Sequence, residues 1–305
     1  MGTGAKRDLL DLSDLRADGI LAVLDRADEW KAIRASGDRG PKPLAGRSVA
    51  LIFEKASTRT RVSFEVGVYE LGGHALVMSA ADSQMGRGEP IEDTARVLSR
   101  YVHAIVLRTF EDTKIAALAR ASTVPVINAL TDGGHPCQVL ADLQTVRERK
   151  GTLRGLKYAW VGDGNNVANS WIEAAMLLGL ELTLAVPEGF DPSRLTQASK
   201  SRVNVRVVRA PGEAVVRADV VITAVWASMG QEQERARRLE AFKAYGVTPE
   251  LMKGAATGAI VLHCLPAHRG EEIDGVFLDG PGAVVWDEAE NRLHAQKALL
   301  EYLVR

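Results

Sequence analysis

The chain is poor in cysteine, has almost no net charge and contains no apolar stretch of membrane-spanning length, and each shortage removes a class of protein. Two cysteines in 305 residues, Cys137 and Cys264, make neither a disulfide framework nor a zinc-ligand spacing. That fits a reducing compartment, and the cytoplasm is the expected location. Lys and Arg number 38 against 39 Asp and Glu, so no overall field attracts nucleic acid or an anionic membrane, and neither is expected as a partner. The opening residues, Met1 to Lys6, carry no apolar signal core, and Lys6 stands where a myristoylation motif needs Ser or Thr. No internal repeat or low-complexity segment appears, so local clusters must carry the electrostatics.

What is present is alternation. Short apolar runs near Val49 to Phe53, Ala75 to Met78, Ala104 to Leu107, Val124 to Leu130 and Tyr158 to Val161 read as strands. So do Leu182 to Val186, Val205 to Val208, Val220 to Val225 and Ile260 to Leu262. Helical spacing fills most of the gaps, which predicts an α/β fold: two doubly wound parallel-sheet domains of similar size, with the active site in the cleft between them. The polar stretch Arg147-Glu148-Arg149-Lys150-Gly151 marks the expected boundary. Residues 1–148 form the first domain, residues 149–287 the second, and a C-terminal helix, 288–305, returns to complete the first.

The unusual residues follow the strands. Ser57-Thr58-Arg59-Thr60-Arg61 sits between an apolar strand and a helix that stops at Gly72-Gly73. Hydroxyls and guanidinia there crowd a helix N-terminus, where unpaired backbone N–H groups and the dipole favour a phosphate or carboxylate. The plainer role for Ser57 or Thr58 is helix capping. Arg108 closes the third strand and suits a phosphoryl or polarised carbonyl oxygen; a surface plug is the other reading. His135-Pro136-Cys137-Gln138 follows a turn-rich loop and opens the helix Val139 to Arg149, leaving His135 and Gln138 to project from it.

Gly162-Asp163-Gly164-Asn165-Asn166 invites a dinucleotide reading, but the third glycine of that fingerprint is Val167, which argues against a nicotinamide cofactor. The asparagines then act either as amides for a zwitterionic substrate or as plain caps. Ser228-Met229-Gly230 and His263-Cys264-Leu265-Pro266 end later strands. Adjacent strand residues point to opposite faces, so His263 and Cys264 do not read as a zinc or nucleophile pair, and Cys264 is open to being an inert thiol.

Taken together, the motifs Ser-Thr-Arg-Thr-Arg, His-Pro-Cys-Gln, Asp-Gly-Asn-Asn, Ser-Met-Gly and His-Cys-Leu-Pro resemble the ornithine carbamoyltransferase family, from about Leu9 to the C-terminus. The resemblance implies transfer of a carbamoyl group from carbamoyl phosphate to the side-chain amine of ornithine, without metal or organic cofactor. It implies that Ser57, Thr58, Arg59 and Thr60 hold the phosphate, with Arg108, His135, Pro136, Cys137 and Gln138 around the carbamoyl and phosphate oxygens. Cys264 and the Leu265 backbone would line the reacting centre, and Arg292 would close on the phosphate. Arg108, His135 and Cys264 are the residues expected to be catalytic. Asn166, Ser228 and Met229 match positions that hold ornithine, and Gln84 matches a residue supplied across a subunit boundary of a homotrimer.

One residue departs from the pattern. Two positions before Trp226 the family carries an aspartate that pairs with ornithine's α-ammonium, and here Ala224 stands instead. Asp163 and Glu232 are the carboxylates considered as substitutes. Alternatives are an acceptor lacking the α-ammonium, such as putrescine, or a paralogue impaired in catalysis. A nicotinamide oxidoreductase is the more distant rival.

Overall fold

Val49, Ala50, Leu51 and Ile52 are fully buried in β1 (Ser48–Phe53), a strand covered on both faces and flanked on both edges by parallel neighbours. A continuous apolar run suits that position, since neither face meets water. The computed structural model describes residues 6–79, 88–199, 204–227 and 232–304. The chain divides into two compact units, Met1–Gln144 with Glu290–Arg305, and Thr145–Ala289.

In the first unit the chain runs α1 (Arg16–Ala35), β1, α2 (Thr58–Glu70), β2 (His74–Ser79), α3 (Ile91–Leu98), β3 (Ala104–Arg108), α4 (Asp112–Ala121), β4 (Val126–Leu130) and the start of α5 (Pro136–Lys150). Its sheet has the order β2-β1-β3-β4, all parallel. In the second unit follow β5 (Lys157–Val161), α6 (Asn166–Leu178), β6 (Glu181–Ala185), α7 (Leu195–Ser199), β7 (Val205–Val208), α8 (Pro211–Val215) and β8 (Val220–Thr223). They are succeeded by α9 (Arg235–Phe242), α10 (Pro249–Met252), β9 (Ile260–His263) and α11 (Gly275–Leu278), and α12 (Val285–Leu303) ends the chain. The second sheet is also parallel, in the order β7-β6-β5-β8-β9.

Both divisions between units fall inside helices, α5 and α12, and the boundary expected after residue 148 also lies in α5. The last part of α12 belongs to the first unit, where Lys297 reaches Glu70 at 2.8 Å and Lys31 reaches Asn291 at 2.8 Å. Trp30 of α1, fully buried, donates its indole N–H to Glu301 at 2.8 Å. The second unit packs Tyr158 of β5 against Trp171 of α6, ring centroids 5.5 Å apart.

Several expected edges shift for local reasons. The strand foreseen from Val124 starts at Val126, because Pro125 has no N–H and Ser122 Oγ donates to the Val124 carbonyl at 2.7 Å, curling the approach. The strand foreseen through Val225 stops at Thr223, the last residue of β8 with a partner on β9. The helix after His135 begins at Pro136, three residues earlier than expected, since proline at the first helical position gives up nothing. The C-terminal helix starts at Val285 instead of Glu288. At the end of α2, Gly72 adopts φ +83°, a left-handed stop that a side chain would strain.

In each sheet the winding reverses between two neighbouring strands: β1 and β3 in the first, β5 and β8 in the second. Loops leaving such neighbours diverge and open a crevice at the strands' carboxyl ends. That is where the sequence places its unusual residues.

Candidate active site

The first unit's rim is built at the β1/β3 reversal, where Phe53 pairs in register with Arg108. Ser57 is the N-cap of α2, its Oγ accepting from the Thr60 amide at 3.2 Å, so the capping role and the anion cradle coincide. Thr58 is exposed, Arg59 partly so, and Thr60 is buried. Two guanidinia converge on the Thr60 hydroxyl: Arg292 Nη2 donates at 3.1 Å and Arg108 Nη1 at 3.4 Å. Arg292 Nη1 also donates to Gln138 Oε1 at 2.6 Å, and Gln138 Nε2 in turn donates to Asp142 Oδ1 at 2.8 Å. Arg292 is thereby aimed by α2 and α5 together, leaving two cationic groups beside a helix N-terminus.

His135 precedes α5 and is buried. Burial, then the charges of Arg292 and Arg108, push its pKa well below the usual imidazole value, so at neutral pH the ring is neutral and can donate a single N–H. Pro136 has no N–H to offer. Cys137 points its Sγ at the Asn128 carbonyl, 3.3 Å away, and burial pushes its thiol up to about 12. Its backbone N–H lies in the first turn of α5.

Sequence reasoning missed Lys55. It is buried, ion-pairs with Asp132 of the loop after β4 and lies 4.1 Å from the centre of the Phe110 ring in the loop after β3. Lys55 thus ties three strand-end loops together. The available signal was its place two residues before Ser57, directly after the strand. Glu54 does similar work, accepting from Thr109 and Lys114.

The second unit's rim stands at the β5/β8 reversal. Gly164 has no room for a side chain: an added Cβ would lie 2.2 Å from the Phe190 carbonyl oxygen. Asn165 is a plain cap, its side-chain oxygen accepting from Val167 and Ala168 at 3.0 and 3.3 Å. Asn166 is the first residue of α6. Asp163 is buried and paired with Arg238 at 3.0 Å, and Arg238 also donates to the Trp226 carbonyl at 2.9 Å. Burial raises the Asp163 pKa to about 6 despite that arginine. Committed to Arg238, Asp163 is a poor substitute for the carboxylate missing at Ala224. Ala224 itself is buried and directly follows Thr223, whose register partner His263 directly precedes Cys264.

Cys264 is half-buried and Leu265 follows with φ +51°. Ser228, Met229 and Gln84 lie outside the described residues. His268, Glu271 and Glu272 bring donor atoms within 4.8 Å of one another. Glu271 is ion-paired with Arg235, and Glu272 accepts from His263 and from the His268 amide, so protein groups already engage both carboxylates. A cavity of about 850 Å³ in this unit is lined by Val215, Trp226, Leu239, Lys243 and Thr248 among others, and neither Asn166 nor Cys264 borders it. Among the described residues no helix is long and apolar enough to cross a membrane.

Fold and rims define a two-unit parallel α/β protein with polar strand-end residues gathered at the topological reversal of each sheet. Residues 7–148 match the aspartate/ornithine carbamoyltransferase carbamoyl-P binding domain, and residues 154–303 match the Asp/Orn binding domain of the same family. The chain belongs to the aspartate/ornithine carbamoyltransferase family. It is 57% identical to an ornithine carbamoyltransferase of Geobacter metallireducens, over 86% of this chain and 88% of that one. Identity to the enzyme of that name from Methanoculleus marisnigri is 51%, over 98% and 97%. The solved ornithine carbamoyltransferase of Pyrococcus furiosus superposes with a TM-score of 0.93 at 48% identity, covering 98% of this chain and 97% of that one. An anabolic ornithine carbamoyltransferase from Campylobacter jejuni gives 0.90 at 38% identity, covering 97% and 98%.

Proposed function

We propose that the chain transfers the carbamoyl group of carbamoyl phosphate to the side-chain amine of L-ornithine, releasing L-citrulline and phosphate. The observation that carries this reading is the convergence of Arg292 and Arg108 on Thr60, at the N-terminus of α2 and beside a neutral His135. The phosphate is held by Ser57, Thr58, Arg59, Thr60 and Arg292, helped by the backbone N–H of Cys137. Arg108, His135 and Gln138 take the carbamoyl oxygen. Gln84 is supplied by a neighbouring subunit, and Cys264 with the Leu265 backbone completes the reacting centre. Asn166, Ser228 and Met229 hold ornithine.

The chemistry follows from charge. An alkyl amine with a pKa of about 10 must lose a proton before it attacks. Attack builds an oxyanion on the carbamoyl carbon, and each fixed donor aimed at such an oxygen is worth about 10²-fold or more in rate. A cation and a neutral donor serve here: Arg108 supplies charge, and His135 supplies an N–H without competing for a proton. Phosphate then departs as an anion already matched by arginine. The step needs no covalent enzyme intermediate.

A homotrimer in the cytoplasm is part of the proposal. Val62 and Tyr69, 51% and 78% exposed on α2, and Leu76, on the edge strand β2, offer apolar surface for a second copy. The deciding experiment is a citrulline assay with ornithine, N-acetylornithine, lysine and putrescine in parallel. Turnover confined to ornithine supports the proposal; turnover only with putrescine, or with no amine, overturns it.

A further inference from the structure

Leu265 holds a left-handed backbone, φ +51°, which a branched side chain adopts only when its surroundings impose it. Those surroundings are a buried relay. The Leu265 amide donates to His263 Nδ1 at 2.9 Å, so that nitrogen carries no proton and His263 Nε2 is the donor in its 3.0 Å contact with Glu272 Oε1. The same Glu272 oxygen accepts from the His268 amide at 2.6 Å, and the His263 amide is anchored to Glu288 Oε2 at 2.8 Å. His263 and Glu272 are 1% and 0% exposed, so water does not compete for these bonds. Burial works to raise the Glu272 pKa, but the bonds from His263 and the His268 amide outweigh it and keep the carboxylate ionised.

We infer that Glu272, acting through His263, is the positioning residue that fixes the Cys264–Leu265 turn at the end of β9. Glu272 does not follow from the strand-end motif that holds His263: it lies nine positions beyond, and the relay joins the two around the intervening turn. A charge-assisted bond to a buried imidazole sets the tautomer, the tautomer supplies the acceptor for Leu265, and that bond fixes the plane of the Cys264–Leu265 peptide at the start of the turn. Without Glu272 the ring is free to carry its proton on Nδ1, which removes the acceptor and releases the turn. The inference rests on the proposed function in one respect, that this turn faces the reacting group.

The test uses the full chain and two variants. Glu272→Ala is expected to lower kcat about 10- to 100-fold, the loss that follows a misplacement of order 1 Å, while KM for carbamoyl phosphate stays within about threefold. Glu272→Gln, which keeps an acceptor for His263, is expected to recover most of kcat. Hydrogen exchange at the Leu265 amide should quicken in Glu272→Ala and return towards the parent rate in Glu272→Gln. An unchanged kcat, or unchanged Leu265 exchange in a folded Glu272→Ala protein, overturns the inference. If that variant does not fold, ¹⁵N NMR of the histidines in the parent protein decides: a bare Nδ1 on His263 supports the relay and a protonated one ends it. Should the parent protein form no citrulline, the functional reading fails by itself, while Leu265 exchange and the His263 tautomer still judge the relay.

Discussion

Arg292 and Thr60, 232 positions apart in the chain, meet through a hydrogen bond of 3.1 Å from the guanidinium to the hydroxyl. The contact fastens α12 to the N-terminus of α2, and Gln138 fixes a second guanidinium nitrogen at 2.6 Å. A lysine has one point charge and no planar fork, so it cannot serve Gln138, Thr60 and a phosphate with the same geometry. Arg292→Lys is therefore expected to raise KM for carbamoyl phosphate, and the calorimetric Kd for inorganic phosphate, by about 10- to 100-fold, equivalent to about 1.4 to 2.8 kcal/mol. A change below threefold in both would mean that Arg292 is a structural fastener and no phosphate ligand.

The two cysteines should part company in a thiol titration. Cys137 is buried, donates to the Asn128 carbonyl and has its thiol pushed up to about 12, so almost none is thiolate at pH 8. Cys264 is half-buried at a strand end. The native protein is expected to react with a disulfide reagent at Cys264 alone and at both cysteines once denatured. Saturating carbamoyl phosphate should slow the Cys264 reaction severalfold. Equal rates with and without that ligand would place Cys264 away from the donor.

Much of this was legible beforehand because fully buried parallel strands write themselves as apolar runs, and β1, β3 and β5 were readable on that ground. Ser57, Arg108 and His135 stood out as polar residues abutting such runs. The partners were harder to see. Lys55 looks like an ordinary lysine until Asp132 and Phe110 are brought to it from two other loops. Arg238 is one of three arginines among four residues, Arg235, Arg237 and Arg238 with Ala236 between, and only its burial against Asp163 distinguishes it. Pairings across long sequence separations have no local pattern, and the 232-residue closure of Arg292 on Thr60 is the extreme case.

Asp163 carries an unusual pH signature. Its folded-state pKa of about 6, raised by burial above the ordinary aspartate value of 3.8, means the folded protein holds a proton there that the unfolded chain gives up. The stabilising contribution is complete below about pH 4 and is lost as pH rises through about 6. A rise of that size corresponds to about 3 kcal/mol at most. Subtracting the denaturation free energies of Asp163→Asn from those of the parent, pH by pH, should give a difference falling by about 2 to 3 kcal/mol between pH 4 and pH 7. A difference that rises over that range would mean that Arg238 outweighs burial and holds Asp163 ionised throughout.

Ala224 is the sharpest test of the acceptor side. It is buried, it follows the last paired residue of β8 as Cys264 follows the last of β9, and the resemblance expects a carboxylate at this place. Asp163, which follows the adjacent strand β5, is paired with Arg238, so it cannot supply the missing charge without abandoning a buried cation. If ornithine's α-ammonium binds here, restoring the carboxylate adds an attractive partner worth about 2 to 5 kcal/mol against the cost of burying it in the absence of substrate. Ala224→Asp is thus expected to raise kcat/KM for ornithine at least tenfold, chiefly through KM, and to lower stability without substrate by about 1 to 3 kcal/mol. Putrescine, which has no α-ammonium, should gain nothing from the same change, and equal gains for both amines would show that the new charge acts on something other than that ammonium.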